Sequence, residues 1–251
     1  MKKLLFLLLL ACGLAHAESS VPDLTAEQWQ EDLDFLANEI ATRHRDPFHF
    51  AGKSGFDQAV SDLRGRIPSM KDYEVVAGLQ RLAALVGDGH TFVDTSGVYG
   101  RFPLEGFWFE DGFRVIRAAP GYREALGARI VAIGPVSIEE AQRRIQQFVP
   151  QAENRWYVLH ASARQLMGVE PLAAAGVLPQ PEPGPADFTF EDDAGRRFTL
   201  RVQPVPAGTD ASATSPRTRC HCPSRTRRRG SGLPTCPIRR RSMWSSAPST
   251  T

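Results

Sequence analysis

The sequence predicts an α+β chain: an N-terminal helical subdomain over 23–91, a mostly β subdomain over 92–206, and a disordered, frameshifted tail over 207–251. Apolar residues recur at helical spacing up to Val86 and at alternate positions beyond Thr91, which marks the change from helix to strand. Composition sets the tail apart: residues 211–251 hold nine Arg and no Asp, Glu or Lys.

Residues 1–17 are taken first because they do not belong to the fold. Lys2 and Lys3 precede the apolar run Leu4 to Leu10 and the small-residue site Ala15-His16-Ala17. That is the pattern of a secretory signal peptide, too short to span a bilayer as a mature helix. An alternative reading takes Leu9-Leu10-Ala11-Cys12 as a lipoprotein-type site with Cys12 acylated. Both readings predict export to a periplasmic or extracellular location, and no further apolar run is long enough for a stable membrane span.

In the helical subdomain, Thr25-Ala26-Glu27-Gln28 has the form of a capping box, followed by Trp29, Leu33, Leu36 and Ile40 at helical spacing. Phe56, Val60, Leu63 and Ile67 repeat the stripe until Pro68 stops it. A third helix, beginning after Asp72, carries Val75, Leu79, Leu82 and Val86 into the corner Gly87-Asp88-Gly89-His90-Thr91. These stripes read as core, with no cofactor site among them.

Beyond the corner, Phe107 to Glu110 and Phe113 to Ala118 flank Asp111-Gly112 as a hairpin. Leu126 to Gly134 reads as a strand ended by a glycine turn, and Ser137-Ile138-Glu139-Glu140 caps a helix running to about Phe148. A helical stretch near Trp156 to Met167 follows, and the Pro-rich link Pro179 to Pro185 precedes a second hairpin. That hairpin pairs Asp187 to Glu191 with Arg197 to Val202 around Asp192-Asp193-Ala194-Gly195.

The formal charge of +2 averages two unlike parts, since residues 1–210 carry 21 basic against 28 acidic residues, a net of −7. Between Cys12 and Cys220 there is no cysteine, so an exported domain here rests on its core and not on disulfides. In the tail, Arg227-Arg228-Arg229 and Arg239-Arg240-Arg241 resemble polyanion patches, but an exported chain meets little nucleic acid, and none is expected as a partner. Cys220-His221-Cys222 with Cys236 lacks a matching second pair, so no metal site is assigned. The Pro, Ser, Thr and Arg content points to disorder. It also matches a frameshifted reading of a GC-rich gene: codon degeneracy over Gly232 to Thr251 permits a neighbouring frame containing Tyr-Leu-Pro-Asp and a β-branched, aromatic run.

The corner carries the chemistry. A two-glycine turn can hold the His90 imidazole outside the core, where it can exchange a proton with a partner, and Asp88 stands two residues away to orient it or to close its own turn. A turn histidine that merely bonds a carbonyl is the competing reading.

The order of parts resembles the tail-specific, or carboxy-terminal processing, serine peptidases, and more closely their tricorn-core-like branch. The resemblance spans about 23–206. It rests on the helical start, Asp88-Gly89-His90-Thr91, and the block Leu126-Gly127-Ala128-Arg129-Ile130-Val131-Ala132-Ile133-Gly134, which is similar to the strand of the family's PDZ-like domain. Pro135 stands where a second glycine is common. The hidden-frame Tyr-Leu-Pro-Asp resembles the stretch that leads into the family's catalytic domain.

This resemblance implies peptide-bond hydrolysis by a serine in a C-terminal α/β domain, without metal or cofactor. In the tricorn-like branch a histidine of the helical subdomain is the general base, and His90 matches it, with Asp88 as a possible orienting residue. The nucleophile is missing: Ser96, Ser137 and Ser162 read as turn, cap and helix residues, Ser212, Ser224 and Ser231 lie in the tail, and no Gly-x-Ser-x-Gly occurs. The expectation is therefore a truncated, inactive part of an exported endopeptidase whose partner is a polypeptide. The alternative is a PDZ-like module that binds a peptide C-terminus without catalysis, through the loop Gly100 to Gly106 with Phe102, Leu104 and Gly106. Phe102 and Leu104 as plain core residues are the competing reading.

Overall fold

The computed structural model describes residues 21–151, 154–178 and 184–209. The expected signal peptide, Cys12, the tail from residue 210 with its arginine runs, and most of the Pro-rich link lie outside the described residues.

Helix α1 (Ala26–Arg43) begins as its sequence demands: the Thr25 hydroxyl accepts the Gln28 N–H while the Gln28 side chain accepts the Thr25 N–H. Two otherwise orphaned amides are thereby satisfied. Trp29, Leu33 and Ile40 are buried, with Leu36 packed against them. Helix α2 (Gly52–Arg66) buries Phe56 and Leu63, and Pro68 falls in a single 3-10 turn over Ile67–Ser69, where its missing N–H is tolerated. Helix α3 (Asp72–Ala84) lies between the two cores: Val75, Leu79 and Leu82 face α1 and α2, while Ala77 joins the core under the sheet. The Trp29 indole donates to Asp72, tying the starts of α1 and α3 together.

The strand expected directly after the corner is absent among the described residues, and 91–103 holds only isolated bridges from Arg101 to Gly168 and Val205. Among the described residues no strand runs alongside 91–100, and at the end of the stretch Arg101 and Phe102 donate across the chain, to Val205 and Met167. Its backbone turns instead on Asp94, which accepts the Ser96 N–H, and is anchored by Tyr99, whose hydroxyl donates to the buried Gln80 side chain at 3.0 Å.

The sheet comprises β1 (Leu104–Phe109), β2 (Gly112–Ala118), β3 (Arg129–Ile133), β4 (Val136–Ser137), β5 (Ala186–Glu191) and β6 (Arg197–Val202). It is antiparallel, in the order β1-β2-β3-β5-β6, with β4 paired to β3. The first hairpin turns one residue earlier than the Asp-Gly pair suggests: Phe109 pairs with Gly112 and Trp108 with Phe113, leaving Glu110 and Asp111 in the turn. Gly134 has φ +56 and Pro135 follows it in the tight link between β3 and β4, where a positive φ is needed first and a negative one second.

Helix α4 (Ile138–Ile145) is capped by the Ser137 hydroxyl and continues as a 3-10 turn to Phe148. Helix α5 (Arg155–Gln165) is capped by Asn154. Helix α6 (Val169–Ala174) had no sequence signal, since six residues are too short to show a period. The second core gathers Phe102, Phe113, Ile130, Leu166, Phe188 and Phe190. The architecture is thus α+β, and among the described residues no helix is long and apolar enough to cross a membrane.

Candidate functional site

The corner after α3 is built around Gly87. Its φ is +75, and a Cβ placed there would come within 2.8 Å of the Phe50 side chain, so both backbone and space call for glycine. Asp88 follows and gathers four groups. Its Oδ1 accepts the His90 N–H at 3.0 Å, and its Oδ2 accepts the Thr91 hydroxyl at 3.0 Å and meets His44 Nε2 at 3.2 Å. The His90 ring is the fourth, with Nδ1 3.4 Å from Oδ1.

His44 ends α1, and its Nδ1 accepts the Asp46 N–H at 3.2 Å. The proton of the neutral ring therefore sits on Nε2 and is donated to Asp88. The His90 N–H, followed by His44 and Thr91, outweighs desolvation and holds the Asp88 carboxyl down at about 2. From the other side the Tyr157 hydroxyl of α5 donates to the Gly89 carbonyl at 2.7 Å, with its ring about 3.0 Å from where a Gly89 Cβ would lie.

His90 itself points outward, its side chain 93% exposed. An imidazole so placed can exchange a proton with an incoming partner. The structure thus joins His90 and Asp88, as the corner motif implies, and adds His44. Nothing local marks His44, because it lies 44 residues away in sequence.

No described serine is bonded to His90. Ser96 bonds Asp94, Ser137 caps α4, and Ser162 is fully buried. Among the described residues no group of His, Cys, Asp and Glu could hold a metal ion.

A second feature lies at the other end of α5. A groove of about 440 Å³ runs between β1 and α5, lined by Arg101, Phe107, Ile116, His160, Arg164 and Met167 among others. Phe102, Leu104 and Gly106 contribute to its floor, but their side-chain faces turn inward. Phe102 packs edge-on against Phe188 at 4.9 Å, Leu104 is buried, and a Cβ on Gly106 would come within 2.3 Å of the Phe113 ring. Three amides of the loop are occupied within the chain: Arg101 donates to Val205, Phe102 to Met167 and Leu104 to Phe102, while Pro103 has none.

Two solved structures resemble this arrangement. Mature CPAF matches with a TM-score of 0.49 and 15% identity over 74% of this chain and 36% of that chain. Mature CPAF complexed with lactacystin matches with a TM-score of 0.50 and 14% identity over 74% and 37%. CPAF is a chlamydial serine protease of the tail-specific kind, and the likeness is one of fold. This chain spans little more than a third of the mature CPAF chain. No protein-family model matches the sequence, and no curated protein matches it.

Proposed function

We propose that this chain is the substrate-handling part of an exported serine-type endopeptidase of the tail-specific kind, with His90 as its general base and no peptidase activity alone. One observation carries the reading: an exposed imidazole, held at its backbone and faced at its ring by Asp88, on a fold related to part of a serine protease. In such chemistry the imidazole accepts the serine proton as the alkoxide attacks the carbonyl carbon, then returns it to the leaving amine. Asp88 orients the ring and balances the imidazolium. A nucleophilic serine and donors for the oxyanion are also required, and neither is found near His90 among the described residues.

Export rests on the Lys2 to Ala17 pattern, and the loss of reading frame on the composition after residue 210. The purified chain is expected to turn over neither a casein-type protein nor a C-terminal peptide. Turnover abolished by His90→Ala would overturn the inactivity. The nucleotide sequence past codon 210 supplies the complementary test. Where a neighbouring frame encodes a serine nucleophile turn, restoring it restores activity, and His90→Ala then lowers kcat by about 10²- to 10⁴-fold. An unchanged kcat removes His90 from the mechanism.

A second reading, a peptide-binding module without catalysis, is favoured by the groove beside β1. Among the described residues no strand pairs with the side of β1 away from β2, so an extended peptide has an edge to join. The occupied amides of Arg101, Phe102 and Leu104 leave the anion-binding capacity of this groove to side chains.

A further inference from the structure

We propose that the groove between β1 and α5 takes an internal, extended polypeptide segment, held by an acidic side chain between Arg101 and Arg164 and by an apolar neighbour against Phe107 and Ile116. The inference rests on the peptide-binding reading and deepens it.

Neither Arg101, in the loop before β1, nor Arg164, on α5, forms an ion pair or a side-chain hydrogen bond among the described residues, although arginines on the neighbouring sheet do. Arg117 pairs with Glu105, and Arg114 with Asp111 and Asp193. Asp94 feels the Arg164 charge but lies beyond ion-pair distance, its carboxylate accepting from Ser96. Arg101 is largely buried, and burial together with the nearby Arg164 lowers its hold on its proton, against a smaller opposing pull from Glu105, which also lines the groove but is paired with Arg117. Two guanidiniums facing one groove, one of them largely buried, are relieved by a carboxylate, and a guanidinium pair suits a planar anion better than any neutral group.

The placement of the pair decides which carboxylate. Arg101 and Arg164 line the first groove and also an adjoining one of about 300 Å³, which continues past Tyr99, Gly168 and Pro171. The anion site therefore stands where the two grooves adjoin. A chain terminus would stop there, whereas an internal segment can run on. The amides of Arg101, Phe102 and Leu104, which a terminal carboxylate would meet at this loop, are already bonded within the chain.

The walls fit an apolar side chain next to the acid. Phe107 and Ile116 are each 40% exposed, and His160 lies edge-on to Phe107. The opposite edge of the sheet is closed to such pairing: β6 exposes Arg197 and Arg201, which pair with Glu191 and Asp187. The chain's own residues 211–251 have the wrong sign for the site, with nine Arg and no acidic residue.

The test is fluorescence anisotropy of the full chain with labelled twelve-residue peptides. One is acetylated and amidated with a central Leu-Glu-Phe, one carries Gln for that Glu, and one neutral peptide has a free C-terminus. The blocked Glu peptide should bind about tenfold more tightly than the Gln peptide. Arg164→Gln, at an exposed position, should erase that difference, and Arg101→Gln should do so in a variant whose thermal melt stays cooperative. Equal affinity for the Glu and Gln peptides overturns the proposal and leaves peptide binding standing. Binding of the free-terminus peptide alone overturns it in favour of terminus capture, and binding of none overturns the peptide-binding reading itself.

Discussion

Asp88 organises the corner through hydrogen bonds that only its ionised form can accept in full. Because its folded pKa, about 2, lies below the ordinary carboxylate value, its contribution is complete above about pH 4 and is lost as pH falls through about 2. The amide resonance of His90, followed by NMR from pH 6 down to pH 1.5, should titrate with a midpoint near 2, and Asp88→Asn should remove the transition. A midpoint close to 4 would contradict the geometry. His44→Ala takes away the Nε2 donor, so the midpoint should move upward. Gly87→Ala forces a side chain into a left-handed backbone and toward Phe50, at a cost of about 1–3 kcal/mol in urea denaturation. Of this constellation, the Asp88 to His90 turn is legible in the sequence because the partners are two residues apart. His44 is not, since its place depends on where α1 ends relative to α3.

Helix α5 connects the two functional features. Tyr157 reaches the Gly89 carbonyl, His160 meets Phe107, and Arg164 lines the groove. Seven residues from Tyr157 to Arg164 rise about 10 Å along the axis, so one rigid element spans from the proposed base to the proposed peptide channel. Tyr157→Phe deletes the hydroxyl that satisfies Gly89. A loss of about 1 kcal/mol is expected, with the His90 amide shifting and binding of the blocked Glu peptide unchanged. Coupled loss of both would mean that the two sites act as one unit. Other elements show why local patterns carry only part of the way: Trp108 facing Phe113 sets the first hairpin one residue off the Asp-Gly pair, and the stretch after Thr91 lacks a strand because among the described residues its pairing is limited to the bridges of Arg101.

Across the whole molecule two apolar clusters meet at α3, whose Ala77 belongs to the sheet side while Val75 and Leu79 belong to the helical side. Phe102 lies within the sheet-side core, so Phe102→Ala should destabilise the chain by about 3–5 kcal/mol in urea denaturation. A residue serving only a bound peptide would leave the midpoint unchanged. On a fold related to that of a protease, the chain presents an exposed imidazole to which no serine among the described residues is bonded. The sequence by itself determined the longer elements and their order, because caps, apolar periods and tight turns are interactions between near neighbours, but not the short α6 or β4 or the lack of a strand after Thr91. It also marked Asp88 as a residue that would orient His90 or close its own turn, and the structure shows its carboxylate meeting both the His90 N–H and the His90 ring. Only the tertiary structure decided that His44 and Tyr157, 44 and 68 residues from their partners, clamp the corner from two sides. It decided too that Phe102 and Leu104 face inward while Arg101 and Arg164 share a channel. Those outcomes depend on how distant elements pack together, which no local pattern specifies.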